Sequence, residues 1–300
     1  MSLVIGSRRS KLAMIQAEMV KTLLARKGYE TTIKKIVTEG DVNKDIHSLI
    51  FQGQVGTFVN EINKELINGE IDIAVHSLKD VPTYLPDSIS FSAFLPRDSP
   101  LDVLISKDNL SFEDLPAGSV IGTSSIRRRA QVLAKRDDLI VKPLRGNIDT
   151  RLKKLNKGEY DAIIIAEAGL NRFKVIKKYQ RLKDDIFLPP ANQGTIVAIT
   201  RKNSAEGRIL RLINDEKTEK ESEIERIVMK VLGVGCSVPI GILSCLNDDV
   251  AKIEVNFIPE NHSNPLYQSI DLNINKNDFF DKIKEFSIDF KERIKMKNVL

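Results

Sequence analysis

The chain has no tryptophan, only two cysteines and three histidines among its 300 residues, and aromatic residues make up just 6% of it. Each scarcity excludes something. Two cysteines, Cys236 and Cys245, cannot build a disulfide framework, and with no histidine at ligand spacing they offer no metal site. That cysteine usage fits a reducing compartment. So few aromatics, and no tryptophan, argue against a surface that stacks on nucleobases. No apolar run approaches the roughly 18 residues that a membrane span needs. Arg8, Arg9 and Lys11 near the N-terminus are followed by Gln16 and Glu18, an amphipathic pattern rather than the apolar core of a signal peptide. The expectation is a cytoplasmic protein that uses no metal and associates with neither membrane nor nucleic acid. Internal repeats and low-complexity tracts are also missing.

What is present is ordinary in bulk and unusual in placement. Hydrophobic residues at 42% and charged residues at 29% describe a globular protein, and 300 residues suit two or three domains. A net charge of +5 points to anionic partners, with nucleic acid, membrane surface and acidic small molecules all open on that number alone. The lysines are spread along helix faces, whereas the arginines cluster at strand-to-turn segments. These are Gly6-Ser7-Arg8-Arg9-Ser10, Gly122-Thr123-Ser124-Ser125-Ile126-Arg127-Arg128-Arg129, Leu144-Arg145-Gly146-Asn147-Ile148-Asp149-Thr150-Arg151 and Ala168-Gly169-Leu170-Asn171-Arg172.

Hydrophobic periodicity places these segments. Leu3-Val4-Ile5, Lys34 to Val37 and Ile71 to His76 read as strands, with helical spacing at Leu12, Ile15, Met19, Leu23 and again at Phe58, Ile62, Leu66. Residues 42–56 have no clear period and read as a mobile loop. The same alternation returns with strands at Val103 to Ile105, Ser119 to Gly122, Leu139 to Val141 and Ala162 to Ile165. Strands alternating with helices predict two α/β domains with parallel sheets. Thr195 to Ile199 is a further strand that could return to the first domain. Residues 216–232 form a charged helix. Beyond it, strand alternation at Ala251 to Phe257 and Ile270 to Ile274, then helical spacing at Phe279, Ile283, Phe286 and Phe290, predict a small α+β domain. The expected domains are 1–95 with 195–213, 100–190 and 217–300. In open α/β sheets ligands bind beyond the carboxyl ends of strands, and every arginine segment lies at such an end.

The chemistry these residues suggest is anion binding with one acid and one thiol. Ser124 or Ser125 can cap the helix starting near Ile126, and Asn147 the next one, each offering free N–H groups to an anion. Cations in the first turn of a helix oppose its dipole, so Arg127 and Arg128 are not there for stability. Arginine grips carboxylates bidentately. Two readings stay open for the set: a grip on a ligand, or pairing with nearby acidic side chains. In His76-Ser77-Leu78-Lys79-Asp80-Val81-Pro82, an Asp80 near cations stays ionised and can stabilise a cationic intermediate or relay a proton, or it can cap the turn before Pro82. His76 reads as a satisfied core histidine. Cys236, in Gly233-Val234-Gly235-Cys236-Ser237-Val238-Pro239-Ile240-Gly241, is a nucleophile, an attachment point or simply structural, while Cys245 in an apolar run reads as packing. An arginine-lined anion receptor without catalysis is the competing reading.

Taken together, the chain resembles the porphobilinogen deaminase (hydroxymethylbilane synthase) family. The resemblance rests on Gly6 to Ala13, Thr38-Glu39-Gly40-Asp41, His76 to Pro82, Gly122 to Arg128, Leu144 to Asn147 with Thr150-Arg151-Leu152, Gly158 to Ala162, and Gly235 to Gly241. It implies two domains similar to type II periplasmic binding proteins plus a small α+β C-terminal domain. It implies a dipyrromethane cofactor attached to Cys236 by a thioether, four porphobilinogen units joined head to tail with loss of ammonia, and release of the linear tetrapyrrole by water. It implies catalytic roles for Asp80, Lys79 and Arg8. The cofactor would be held by Ser10, Lys79, Asp80, Thr123, Ser125, Arg127, Arg128, Arg145 and Gly146. Porphobilinogen and the growing polypyrrole chain would be held by Arg8, Arg145, Arg151, Arg172, Gln193 and Phe58. The family precedent is a monomer. This sequence departs from the pattern in three places: Gln54-Val55-Gly56-Thr57-Phe58 lacks a lysine usual there, Asn192 replaces a glycine before Gln193-Gly194, and Val234 replaces a glycine before the cysteine.

Overall fold

The structure, a computed structural model, describes residues 2–37, 57–183, 185–234 and 238–296. The loop expected over 42–56 and Cys236 lie outside the described residues, as does the side chain of Phe58. The chain forms two compact units, Met1–Asp98 with Gly194–Glu223, and Ser99–Gln193 with Ile224–Leu300.

The first unit is built on β1 (Leu3–Arg8), β2 (Thr31–Ile36), β3 (Ile73–Ser77), β4 (Ile89–Phe94) and the late strand β10 (Ile196–Arg201), in the order β2-β1-β3-β10-β4. Helices α1 (Lys11–Arg26) and α2 (Thr57–Ile67) accompany it. Successive side chains of a strand point to opposite faces, and here both faces are covered. Ile5, Ile73 and Val75 pack with Ala17, Val20 and Leu24 of α1, while Ala74 packs with Ile62 and Leu66 of α2. This is why the central strands read as continuous apolar runs rather than alternating ones.

The second unit holds a sheet of β5 (Asp102–Ser106), β6 (Val120–Gly122), β7 (Ile140–Lys142), β8 (Ala162–Ala166) and β9 (Gln180–Leu182), ordered β7-β6-β8-β5-β9, with α3 (Ile126–Lys135), α4 (Ile148–Asn156) and α5 (Glu167–Phe173). It also holds an antiparallel sheet of β11 (Ile240–Asn247), β12 (Val250–Phe257) and β13 (Leu266–Asn273), order β11-β12-β13. Ala251, Ile253, Val255 and Phe257 turn one face of β12 onto α7 (Glu216–Leu232) and α8 (Phe279–Met296), through Ile224, Val228, Ile283, Phe286 and Phe290. Helix α6 (Ala205–Leu210) follows β10.

The expectation of parallel sheets needs correction. In the first sheet β10 runs antiparallel to both β3 and β4, and in the second β5 runs antiparallel to both β8 and β9. The reversed strands are the ones that begin soon after the chain passes from one unit to the other, so no helix crossover sets their direction. Thr195 to Ile199 does return to the first sheet, as β10. Cys245, expected to pack in an apolar core, is only half-buried on β11, with its Sγ 3.9 Å from Asn247 Oδ1.

Segment 185–192 braces the third sheet. Asn256 donates its Nδ2 to the carbonyls of Asp185 and Ile186 at 2.8 and 2.7 Å, and its Oδ1 accepts from Gly241 N at 2.9 Å. Backbone and side chains come so close here that a Cβ on Gly241 would sit 2.6 Å from Asn256 Oδ1 and 2.7 Å from the Leu188 carbonyl oxygen. Gly241→Ala should therefore destabilise the fold by about 1–3 kcal/mol, read as a lower midpoint in thermal or urea unfolding; an unchanged midpoint would show that this brace yields freely.

Candidate functional site

At the carboxyl edge of the first sheet, β1 ends at Arg8 and its parallel neighbour β3 ends at Ser77, so the turns that follow lie side by side. After β1, Ser10 caps α1 by accepting from Ala13 N at 3.3 Å, and the buried Ser7 hydroxyl donates to the Ala13 carbonyl at 3.1 Å. After β3 comes one 3-10 turn, Leu78–Asp80. The turn is pinned: Leu78 N donates to the Thr195 carbonyl, and Ser77 Oγ accepts from the buried Gln16 Nε2 at 2.7 Å. Lys79 is half-buried and Asp80 is exposed. Among the described residues nothing bonds to the Asp80 carboxylate, so the capping reading falls and the acid stands open on a rigid turn.

His76 is buried just before this turn, its Nε2 3.1 Å from Asn63 Oδ1. Burial, and secondarily the charge of Arg8, push its pKa down to about 4. It is a neutral core residue at physiological pH, as its sequence context suggests.

At the carboxyl edge of the second sheet, three turns gather. After β6, Thr123 is buried and its Oγ1 accepts from Ser125 N at 3.2 Å, while Ser125 Oγ caps α3 by accepting from Arg128 N at 3.3 Å. After β7, Asn147 caps α4, its Oδ1 taking both N and Oγ1 of Thr150 at 2.9 and 2.8 Å. Arg145 is exposed and Arg151 Nε donates to the Gly146 carbonyl at 2.8 Å. Gly146 holds φ +112°, a region that favours glycine, and a Cβ there would meet Thr150 Cγ2 at 2.7 Å. Burial, and then the like charge of Arg128, lower the Arg151 pKa to about 10, which leaves it cationic at neutral pH. After β8, Arg172 on α5 is half-buried.

Arg127 and Arg128 behave differently from the rest. Their side chains are 6% and 10% exposed, and both lie on Asp102, itself 2% exposed. Arg128 Nη2 and Nε reach Asp102 Oδ1 and Oδ2 at 2.6 and 3.1 Å, and Arg127 Nη2 reaches Oδ2 at 2.7 Å. Arg127 Nη1 donates to Gln131 Oε1 and to the Leu188 carbonyl, both at 2.7 Å, and Arg128 Nη1 to the Ile164 carbonyl at 3.2 Å. Gln193 Nε2 adds a bond to Asp102 Oδ1 at 2.8 Å and another to the Pro100 carbonyl at 2.8 Å. Burial alone would raise the Asp102 pKa, but Arg128 and Arg127 hold it far below the usual carboxylate range. For these two arginines pairing with an internal acid is therefore realised, and only the donors left over can meet a ligand. Asp102 was not foreseen. Its one signal in the sequence is a lone charge at the start of the apolar strand Val103-Leu104-Ile105.

Two departures from the family pattern have structural reasons. Asn192 sits at φ +63°, a conformation asparagine tolerates better than other non-glycine residues, and its backbone N donates to the buried Glu225 carboxylate. Val234 is buried in the third sheet's core. Its N bonds the Met229 carbonyl while Gly233 N bonds that of Lys230, which closes the end of α7. Among the described residues no cluster of acidic, cysteine and histidine side chains could hold a metal ion, and no helix is long and apolar enough to cross a membrane.

Residues 3–208 match a family described as porphobilinogen deaminase, dipyromethane cofactor binding domain. A protein of Methanococcoides burtonii named "Probable porphobilinogen deaminase" is 46% identical over 255 residues, 84% of this chain and 82% of that one. A relative of the same name from Picrophilus torridus is 47% identical over 247 residues, covering 82% and 86%. Among solved structures, a YaeC-family lipoprotein from Enterococcus faecalis aligns with a TM-score of 0.43 at 13% identity over 73% of this chain and 93% of its own. Substrate-binding domain 2 of Lactococcus lactis GlnP aligns at 0.42 and 15%, over 71% and 86%. At that level of likeness nothing about this chain follows from either structure.

The buried neutral His76 has a consequence for stability. Its folded pKa lies below the ordinary 6.5, so its contribution is present above that value and is lost as pH falls toward about 4. His76→Asn should flatten the pH dependence of unfolding free energy in that window by about 3 kcal/mol, measured by urea titrations at pH 7, 5.5 and 4; parallel curves for the two proteins would refute it.

Proposed function

The chain belongs to the porphobilinogen deaminase family, the hydroxymethylbilane synthases, and from that premise we propose that it joins four porphobilinogen molecules head to tail on dipyrromethane and then releases linear hydroxymethylbilane with water. Each addition forms one carbon–carbon bond between the aminomethyl carbon of the incoming unit and a free pyrrole α-carbon. The C–N bond breaks, ammonia leaves, and the α-carbon gives up a proton. The observation that best supports a catalytic rather than a receptor role is the exposed Asp80 carboxylate on its pinned turn after β3, beside Lys79 and near the end of β1 that carries Arg8. A receptor for carboxylates has no use for a carboxylate offered without a partner.

The donor set fits dipyrromethane, since every pyrrole ring carries an acetate and a propionate. We assign its carboxylates to Arg145, the backbone at Gly146, Thr123, Ser125 and the spare donors of Arg127 and Arg128, with Ser10, Lys79 and Asp80 as further contacts. When bound through a thioether to Cys236, it supplies the tether and the pyrrole carbon at which growth starts. Arg8, Arg151, Arg172, Gln193 and Phe58 are assigned to porphobilinogen and the growing chain. Bidentate arginine–carboxylate pairs fix orientation as well as charge. Lys79 is assigned to a substrate carboxylate and Asp80 to the proton of the pyrrole nitrogen. There its negative charge stabilises the cation formed as ammonia departs, a kind of interaction worth about 10²–10³ in rate. The protein is proposed to act as a cytoplasmic monomer that engages neither nucleic acid nor membrane.

Asp80→Ala should lower kcat for porphobilinogen consumption by at least about 10²-fold with an unchanged unfolding midpoint, because the side chain is exposed. Near-normal turnover would remove Asp80 from the mechanism. The intact mass of denatured protein should exceed the sequence mass by one dipyrromethane. That excess should vanish in Cys236→Ser and persist in Cys245→Ser; persistence in Cys236→Ser would place the attachment elsewhere.

A further inference from the structure

Arg127, Arg128 and Arg151 form a cationic group in the second unit: Arg127 and Arg128 share one acid, and the charge of Arg128 reaches Arg151. A carboxylate buried to this extent is costly unless it is fully bonded, and Asp102 is: it accepts from Arg128 twice, from Arg127 and from Gln193. The geometry has two effects. Each guanidinium has five N–H donors in a rigid plane, and at least three on each are committed to protein acceptors. The plane of each side chain is therefore set before any ligand arrives. One negative charge against three positive ones also leaves the group with a surplus that an incoming carboxylate can neutralise.

We propose that Asp102 is a positioning residue, an internal carboxylate that locks the forks of Arg127 and Arg128 so that their remaining N–H groups are presented in a fixed direction to a ligand carboxylate. It touches no substrate and acts through the arginines. Gln193 completes the arrangement. By bonding Asp102 Oδ1 and the Pro100 carbonyl together, it keeps the acid from rotating away from Arg128. This inference rests on the proposed reaction. A side chain that meets its ligand already oriented loses less rotamer freedom on binding, so the effect of the lock belongs in affinity rather than in the chemical step.

The test compares the full chain with Asp102→Ala and Asp102→Glu, each weighed intact as purified. Because Arg127 and Arg128 are assigned to the carboxylates of dipyrromethane, the share of Asp102→Ala chains carrying the dipyrromethane mass should fall at least tenfold against the parent. Formate at tens of millimolar should recover most of the loss by filling the vacated carboxylate position, whereas chloride at equal ionic strength should not. A readout independent of turnover is the Arg128 Nε–H resonance, identified by its absence in Arg128→Lys. It should be slowly exchanging in the parent protein, broadened or lost in Asp102→Ala, and restored by formate. If Asp102→Ala does not fold, Asp102→Glu keeps the charge and shifts the carboxylate by one methylene, and should still lower that share severalfold. A lowered unfolding midpoint with unchanged dipyrromethane loading in the variant that folds would overturn the proposal, leaving Asp102 a purely structural acid. Failure of the parent holoenzyme to consume porphobilinogen would instead sink the proposed function, and the resonance would still decide the positioning role.

Discussion

A single buried carboxylate organises the arginine-bearing edge of the second unit. Asp102 stands at the first position of β5 and is joined to two residues of the first turn of α3 and to Gln193, far along the chain. Three separated segments are thus tied to one point by charge-assisted bonds, which are shorter and stronger than neutral ones. Breaking such a network by removing one partner costs about 3–5 kcal/mol, because the charges left behind stay buried. The arrangement explains how two arginines can occupy the first turn of a helix, where the dipole disfavours them. Asp102 supplies there the negative charge that the helix would otherwise prefer.

The two five-stranded sheets share one plan. In each, the first of three mutually parallel strands lies in second place with its successor at the edge, and one reversed strand fills fourth place. Even the braces match: Asp72 accepts from Val4 N and pairs with Arg201, while Asp161 accepts from Val120 N and pairs with Lys107. In both, the polar turns lie at the carboxyl ends of adjacent parallel strands. The same frame thus carries an exposed acid in one unit and an arginine group in the other. The frame positions residues; which residues it carries decides the chemistry.

Much of this was legible because the signals are local. Apolar runs such as Ala162 to Ile165 announce buried strands, and Ser125 and Asn147 announce caps that the structure realises. Helix 216–232 lies where its pattern puts it. What escaped depends on distance along the chain. The partner of Arg127 and Arg128 lies 25 and 26 residues before them, and nothing in their own neighbourhood names it. Strand direction escaped for the same reason, since β5 and β10 are reversed by where the chain enters each unit and not by their composition. β4 was legible in principle, because Ile89-Ser90-Phe91-Ser92-Ala93-Phe94 alternates in part, whereas three-residue β9 is too short to carry a period. The shared strand order left no repeat in the sequence, because strand order is set by contacts far apart along the chain.

The placement of β10 also sets an order of events during synthesis. The second sheet uses strands that all lie between Asp102 and Leu182, so it can close as soon as that stretch has left the ribosome. The first sheet cannot: its fourth place is filled by Ile196–Arg201, which inserts between β3 and β4 and emerges only after the whole second sheet. Until then β3 and β4 expose unpaired edges, the kind of surface that recruits other chains. Of the two five-stranded sheets, the one begun first is therefore the one closed last, and a nascent chain stalled before residue 196 should depend on chaperones far more than one stalled after residue 201.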